Sequence, residues 1–217
     1  MTYMDYVETQ IRRYGFGIPI YTNKLAENTA TEFHLSDKDA SAAVSVAIKR
    51  IMDNKNVPEL RFFQKGIYYR TKATPFGETG INFETLIADK YLVEDNGYET
   101  GYALLYRMGL TTQIPADRVI ATNRAKDCIR KDKTLGVFIR PPKIKINAKN
   151  RHYLQTLDAI ELVDKAPIDA ERPYALIADH IQNNKLKYVK LLSLAGKHYN
   201  QNTVLTLARI AGARSWQ

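Results

Sequence analysis

Four polar residues, Lys38, Ser41, Ser45 and Lys49, recur at i, i+3, i+7 and i+11. On a helix this spacing gathers them into one stripe, with short hydroxyls in the middle and a cation at each end. Such a stripe suits the major groove of duplex DNA, because short polar side chains let the backbone approach base edges while lysine or arginine reaches phosphate. Arg50 adds a cation beside it. A second set, Arg61, Lys65 and Arg70, lies in and beside the stretch FFQKGIYYR, where a Lys-Gly pair interrupts a run of aromatic and apolar residues. The third set is the largest. Lys and Arg total 32 against 23 Asp and Glu, a net charge of +9, and the whole excess falls between Arg118 and Arg151, where eleven basic residues stand against two acids. Arg124, Lys126, Arg130, Lys131, Lys133, Arg140, Lys143 and Lys145 form its body. A local excess of this kind points to a polyanion or an acidic partner, with a solvated basic surface as the plainer alternative.

Residues for catalysis are harder to find. His34, His152, His180 and His198 are scattered, with no HExxH and no paired metal spacing. The GETG stretch, Gly77 to Gly80, has glycines but no following Lys-Ser/Thr, so it is not a phosphate loop. No serine sits in GxSxG, and Cys128 has no evident histidine partner, which makes it a packing residue by expectation. Asp158, Glu161 and Asp164 with Lys165 are the best acidic cluster, and a nuclease would use such groups to hold a metal and activate water. A solvated helix face accounts for them far more simply, and that is the expectation. The expectation is a protein that is not an enzyme and needs no cofactor or metal. One cysteine cannot form an internal disulfide, which fits a reducing cytosol. The N-terminus lacks the apolar core of a signal peptide and no later run approaches 18 apolar residues, so a soluble cytoplasmic protein with no membrane partner is expected.

The elements that must position these residues follow from periodicity. Tyr3, Tyr6, Val7 and Ile11 mark a helix over 3–13, stopped by Gly15 and Gly17. An extended piece, 18–21, leads to a helix with Thr22 as N-cap running to about Ala30, and 32–35 make a turn. Ser36, with Asp39 three residues on, opens the clearest helix of the first half, whose face of Ala40, Ala43, Val44, Ala47, Ile48 and Ile51 is core. Strands 60–63 and 67–70 make a hairpin, with Gly66 at the turn. Three helices and a two-stranded ribbon come in the order of a winged helix-turn-helix, which assigns DNA contact to the stripe and to the cations of the ribbon. Residues 71–81, with Pro75, Gly77 and Gly80, read as a linker. Beyond it come helices over 82–93 and 98–108, strands over 118–122, 134–139 and 143–147, and four helices near 151–163, 170–183, 187–199 and 202–211. The expected fold class is therefore α+β: an N-terminal winged helix-turn-helix domain (1–70), a linker (71–81) and a mixed α/β C-terminal domain (82–217) ending in helices.

The segments GFGIPIYTNKLAE, ASAAVSVAIKRIMD and GIYYR, followed by GYETGYALLYRMGLTTQIPADRVIATNR, resemble the AbiEi-like antitoxins of bacterial type IV toxin-antitoxin systems, which serve in phage defence. The likeness runs from about Tyr14 to Arg140. Its most specific part leads from Gly101-Tyr102-Ala103 into Gly109 to Pro115 and the strand from Val119; the second marker is Gly66-Ile67-Tyr68. The resemblance implies a winged-helix domain that represses its own operon by binding operator DNA, and a C-terminal domain that counters a nucleotidyltransferase-like toxin, with no stable complex required. It carries no catalytic motif. The basic block would then meet either the toxin or DNA. The alternative is a stand-alone winged-helix transcription regulator whose C-terminal domain senses a ligand or dimerises.

Overall fold

A computed structural model describes residues 1–93 and 96–213 of the 217-residue chain. It is a mixed α+β protein, with helices first, then sheet, then a helical end. The chain divides into two compact units, Met1–Leu86 and Ile87–Gln217.

The first unit opens with α1, Tyr3–Arg13. Thr2 and Asp5 cap it reciprocally: Asp5 N–H donates to Thr2 Oγ1 at 3.2 Å and Thr2 N–H to Asp5 Oδ2 at 3.0 Å. The strand β1, Ile20–Tyr21, leads into α2, Thr22–Phe33, and α3, Asp37–Asp53, follows. Strands β2, Leu60–Gln64, and β3, Ile67–Arg70, form the hairpin, and β1 pairs antiparallel with β3 to give the order β1-β3-β2. The core is the expected α3 face, with Ala40, Val44, Ala47, Ile48 and Ile51 packed on Val7, Ile11, Ile20 and Leu25.

Several boundaries differ from expectation for local reasons. Thr22 is not the N-cap of α2; Tyr21 is, without a side-chain bond, and the Thr22 N–H donates to the Gly66 carbonyl at 3.0 Å. The helix runs past Ala30 until His34, at φ 52°, turns left-handed. Residues 71–81 are not a bare linker. Strands β4, Ala73–Thr74, and β5, Gly77–Glu78, make a second hairpin, closed by Thr71 Oγ1 to the Thr79 carbonyl at 2.8 Å and by the Lys72 N–H to Thr79 Oγ1 at 2.8 Å. This segment belongs to the first unit, which ends at Leu86 inside α4, Phe83–Ile87.

The second unit begins with a π-helical turn, Ala88–Leu92. A helix was expected from Tyr98; instead Gly97–Thr100 is a strand, β6, and only Tyr102–Arg107 is helical, as α5. Gly97 explains the difference. A Cβ there would stand 2.2 Å from the Tyr91 carbonyl oxygen and 2.7 Å from that of Ala121, so the backbones close in only because the residue has no side chain. Strands β7, Val119–Thr122, β8, Arg130–Asp132, and β9, Val137–Arg140, complete a sheet of order β6-β7-β9-β8, in which β7 and β9 are parallel and the other pairs antiparallel. The strand expected at 134–139 starts at Val137, because Asp132 Oδ1 accepts from the Thr134 and Leu135 amides and turns the chain there. The strand expected at 143–147 does not form. Ile146 is buried as its alternation predicts, but Asn123 takes both its backbone groups, donating Nδ2 to its carbonyl and accepting its N–H, each at 2.9 Å. A side chain thus replaces the partner strand. Helices α6, Arg151–Val163, α7, Pro173–Asn183, α8, Tyr188–His198, and α9, Gln201–Gly212, close the unit around Leu157, Ile160, Ile177, Leu191 and Leu207.

Candidate functional site

In α3 the Ser36 hydroxyl accepts the Asp39 amide at 3.2 Å, and Asp37 and Asp39 lie in the first turn, where carboxylates favour the helix dipole. At 3.6 residues per turn Lys38, Ser41, Ser45 and Lys49 occupy an arc of about 80°, and Asp37 and Asp39 fall about 100° to either side of Lys38. All four stripe residues and Arg50 are exposed, with the buried face beginning beside Ser41 at Ile48. Lys38, Lys49 and Arg50 form no ion pair among the described residues. Ser45 Oγ donates to the Ser41 carbonyl at 2.8 Å, which keeps the hydroxyl against the helix and the middle of the stripe low. A helix about 10–12 Å across with a low centre matches a major groove about 12 Å wide.

The hairpin separates its cations by role. Lys65, at the turn with Gly66 at φ 81°, is exposed and makes no ion pair among the described residues. Arg61 does not leave its guanidinium unpaired. It donates Nε and NH2 to Glu78 at 3.1 and 2.6 Å and NH1 to the Pro58 carbonyl at 2.7 Å, tying β2 to β5. Arg70 is held still more tightly. It donates to Glu59 Oε1 at 2.7 Å and to the carbonyls of Arg12 and Tyr14 at 2.7 and 2.8 Å, and it lies 4.6 Å over the Phe16 ring. Both arginines, expected on phosphate, are thus engaged in joining elements of the first unit. Glu59 and Glu78, the partners, carry no signal in sequence that separates them from surface acids.

The basic block splits in the same way. Arg124 and Lys126 lie exposed on the connection after β7, Arg130 and Lys131 on the edge strand β8, Lys133 in the next turn and Lys145 in the segment after β9. Among the described residues, Lys131 alone of these has a close side-chain partner, the Phe138 ring 5.2 Å away. Arg140 and Lys143 are drawn inward. Lys143 Nζ donates to Glu161 Oε1 at 2.8 Å and sits 4.4 Å over the Tyr199 ring, and Arg140 donates to Asp158. Cys128, expected to pack, is exposed.

Asp158 is the centre that sequence reasoning placed on a solvated face. It is 1% exposed. Its Oδ2 accepts from Tyr98 OH at 3.0 Å, from Thr100 Oγ1 at 2.9 Å and from the Arg140 guanidinium, and its Oδ1 accepts from Tyr199 OH at 2.8 Å. Burial pushes the carboxyl above the usual range, against the opposing pull of Arg140 and the three hydroxyls. Burial likewise raises Tyr98 and Tyr199, with the facing carboxylate adding to it, so both phenols stay protonated donors. Glu99, one residue along β6, is 4% exposed between Arg118 Nε at 2.8 Å and Arg107 NH1 at 2.7 Å. The remaining members of the acidic cluster are separately employed: Glu161 holds Lys143, and Asp164 accepts from Tyr174 OH at 3.0 Å and Thr206 Oγ1 at 2.7 Å. The residues that complete this centre come from β6, from the end of β9 and from the position just after α8, too far off in sequence for spacing to reveal.

No family model, curated protein or solved structure matches the chain. No helix among the described residues is long and apolar enough to cross a membrane.

Proposed function

We propose that the first unit is a winged helix that binds duplex DNA, and that the chain is a DNA-binding antitoxin that represses its own operon and counters a nucleotidyltransferase-like toxin. The observation that carries the DNA reading is the exposed α3 stripe, with cations free of ion pairs at Lys38 and Lys49, on an element followed by a hairpin whose tip, Lys65, is also free. The element order α1-β1-α2-α3-β2-β3, with β1 on the outer side of β3, agrees with it. Arg61 and Arg70 act in this reading as braces that hold the hairpin. The antitoxin half draws on the resemblance to AbiEi-like antitoxins, and the free cations of Arg124 to Lys133 offer an acidic toxin surface a complement. A second reading, a stand-alone regulator whose second unit senses a ligand, is favoured by a cleft beside Gly101.

The test is a pair of cell assays. A reporter behind the sequence upstream of the chain's own gene is repressed by the chain and released by Lys49→Glu, and growth arrest caused by the adjacent gene product is relieved by the chain. Repression without any relief of arrest would leave the stand-alone regulator. Failure of repression by a folded protein would remove the DNA reading.

A further inference from the structure

The second unit holds a cleft that DNA binding leaves without a role. Its inner end, about 240 Å³, is walled by Thr100, Arg140, Lys143 and Glu161 over Asp158. An adjoining pocket of about 480 Å³ shares Gly101, Val119 and Leu162 with it and is mainly apolar, with Tyr102, Ile129 and Phe138. The larger pocket lies in the range of sites for small molecules, and the smaller one extends it. Gly101 stands where the two ends meet, at φ 74°, and a Cβ there would crowd Val119 at 3.3 Å. The passage is therefore kept by a residue that no other side chain replaces without strain.

The polar end has bonding capacity of a defined kind. Asp158 has none to spare, since four donors already occupy it. Arg140 uses one N–H of NH1 for the Pro141 carbonyl at 3.1 Å and one of NH2 for Asp158, which leaves Nε–H and two further N–H groups. Lys143 spends one donor on Glu161 Oε1, which also accepts Asn200 Nδ2 at 3.2 Å, while Glu161 Oε2 takes no hydrogen bond among the described residues. Arg140, Lys143 and Glu161 remain 24%, 27% and 20% exposed, so solutes reach them. Two cations face two carboxylates. A ligand with a net charge would unbalance this partly desolvated set, whereas a zwitterion adds one charge of each sign. We propose that the cleft binds a free α-amino acid with an apolar side chain, its carboxylate on Arg140, its ammonium on Glu161 and its side chain between Val119, Leu162 and Ile129. The proposal deepens the reading of the second unit as a ligand sensor, and its test involves no DNA, so its failure leaves the DNA reading untouched.

Isothermal titration of the full chain with L-phenylalanine, L-leucine, 3-phenylpropionate and phenethylamine tests it. Saturable binding of an amino acid, with the acid and the amine weaker by about tenfold or more, is expected, since each lacks one charged contact. Ile129→Asp, at a 57% exposed position that the fold does not depend on, weakens amino-acid binding by at least about tenfold, and Glu161→Gln weakens it as well. Absence of saturable heat with both amino acids at millimolar concentration overturns the proposal. So does equal binding of all four probes, which would leave a plain apolar pocket. Amino-acid binding that survives Ile129→Asp in a chain of unchanged melting temperature overturns the placement.

Discussion

Asp158 and Glu59 show how a single carboxylate holds each unit, and each carries its own prediction. Replacing Asp158 with alanine leaves the Arg140 guanidinium and the hydroxyls of Tyr98, Thr100 and Tyr199 without their acceptor, in a site closed to solvent. Removing one partner of a buried pair costs about 3–5 kcal/mol. Asp158→Ala should lose that much in urea unfolding followed by circular dichroism, where Asp164→Ala, at an exposed position, loses less. Equal losses would show that the buried centre is not what holds β6 to α6. For Glu59, burial pushes the carboxyl up, but its own backbone amide and Arg70 outweigh that and hold it below 4.5. The unfolded chain therefore binds the proton more readily than the folded one. The pair's contribution is present above pH 4.5 and disappears as pH falls through the lower folded value. Glu59→Gln should melt lower than the wild type at neutral pH and approach it on acidification. Parallel melting curves across that range would show that Arg70 gains nothing from the charge.

At the scale of elements the argument rests on α3 and the hairpin it precedes. Lys49→Glu and Lys65→Glu should each weaken DNA binding and reduce the salt slope by about one, the value for one lost phosphate contact. Arg61→Ala should instead lower the melting temperature and leave the slope near the wild type's, because its donors already belong to Glu78 and Pro58. A slope unchanged in both lysine variants would remove the stripe and the tip from the interface. The helices here were legible because each buries one face: α3 reads from Ala40, Val44, Ala47 and Ile51, and Ser36 marks its start. What sequence hid depends on partners distant along the chain. KIKIN alternates like a strand, but the side chain of Asn123 takes its backbone bonds. GYET reads as the start of a helix until Gly97 is seen wedged between two carbonyls. Arg61 and Arg70 look like phosphate ligands until Glu78 and Glu59 appear beside them. Charge alone does not say whether a cation faces solvent or a carboxylate brought to it by folding.

At the scale of the whole molecule the two units divide after Leu86, and the hairpin at 73–78 goes with the first. A fragment of residues 1–86 should unfold cooperatively and keep the preference for the native duplex. A fragment of residues 1–70 should melt well below it, having lost Glu78 from Arg61 and the Thr71 amide from the Glu59 carbonyl. Equal melting of the two would make the second hairpin a mere connection. Nearly all of the net charge of +9 lies within the second unit, so the nonspecific attraction of the intact chain to any polyanion must be separated from recognition by the first. Salt separates them, since the phosphate contribution falls steeply with ionic strength while base and shape readout persists. The most direct measurement is fluorescence anisotropy of the full chain against the duplex upstream of its own gene and a scrambled duplex, at low and near-physiological salt. The account predicts a preference for the native duplex that survives the higher salt and is lost in Lys49→Glu. Equal affinity for both duplexes, vanishing together as salt rises, would contradict it.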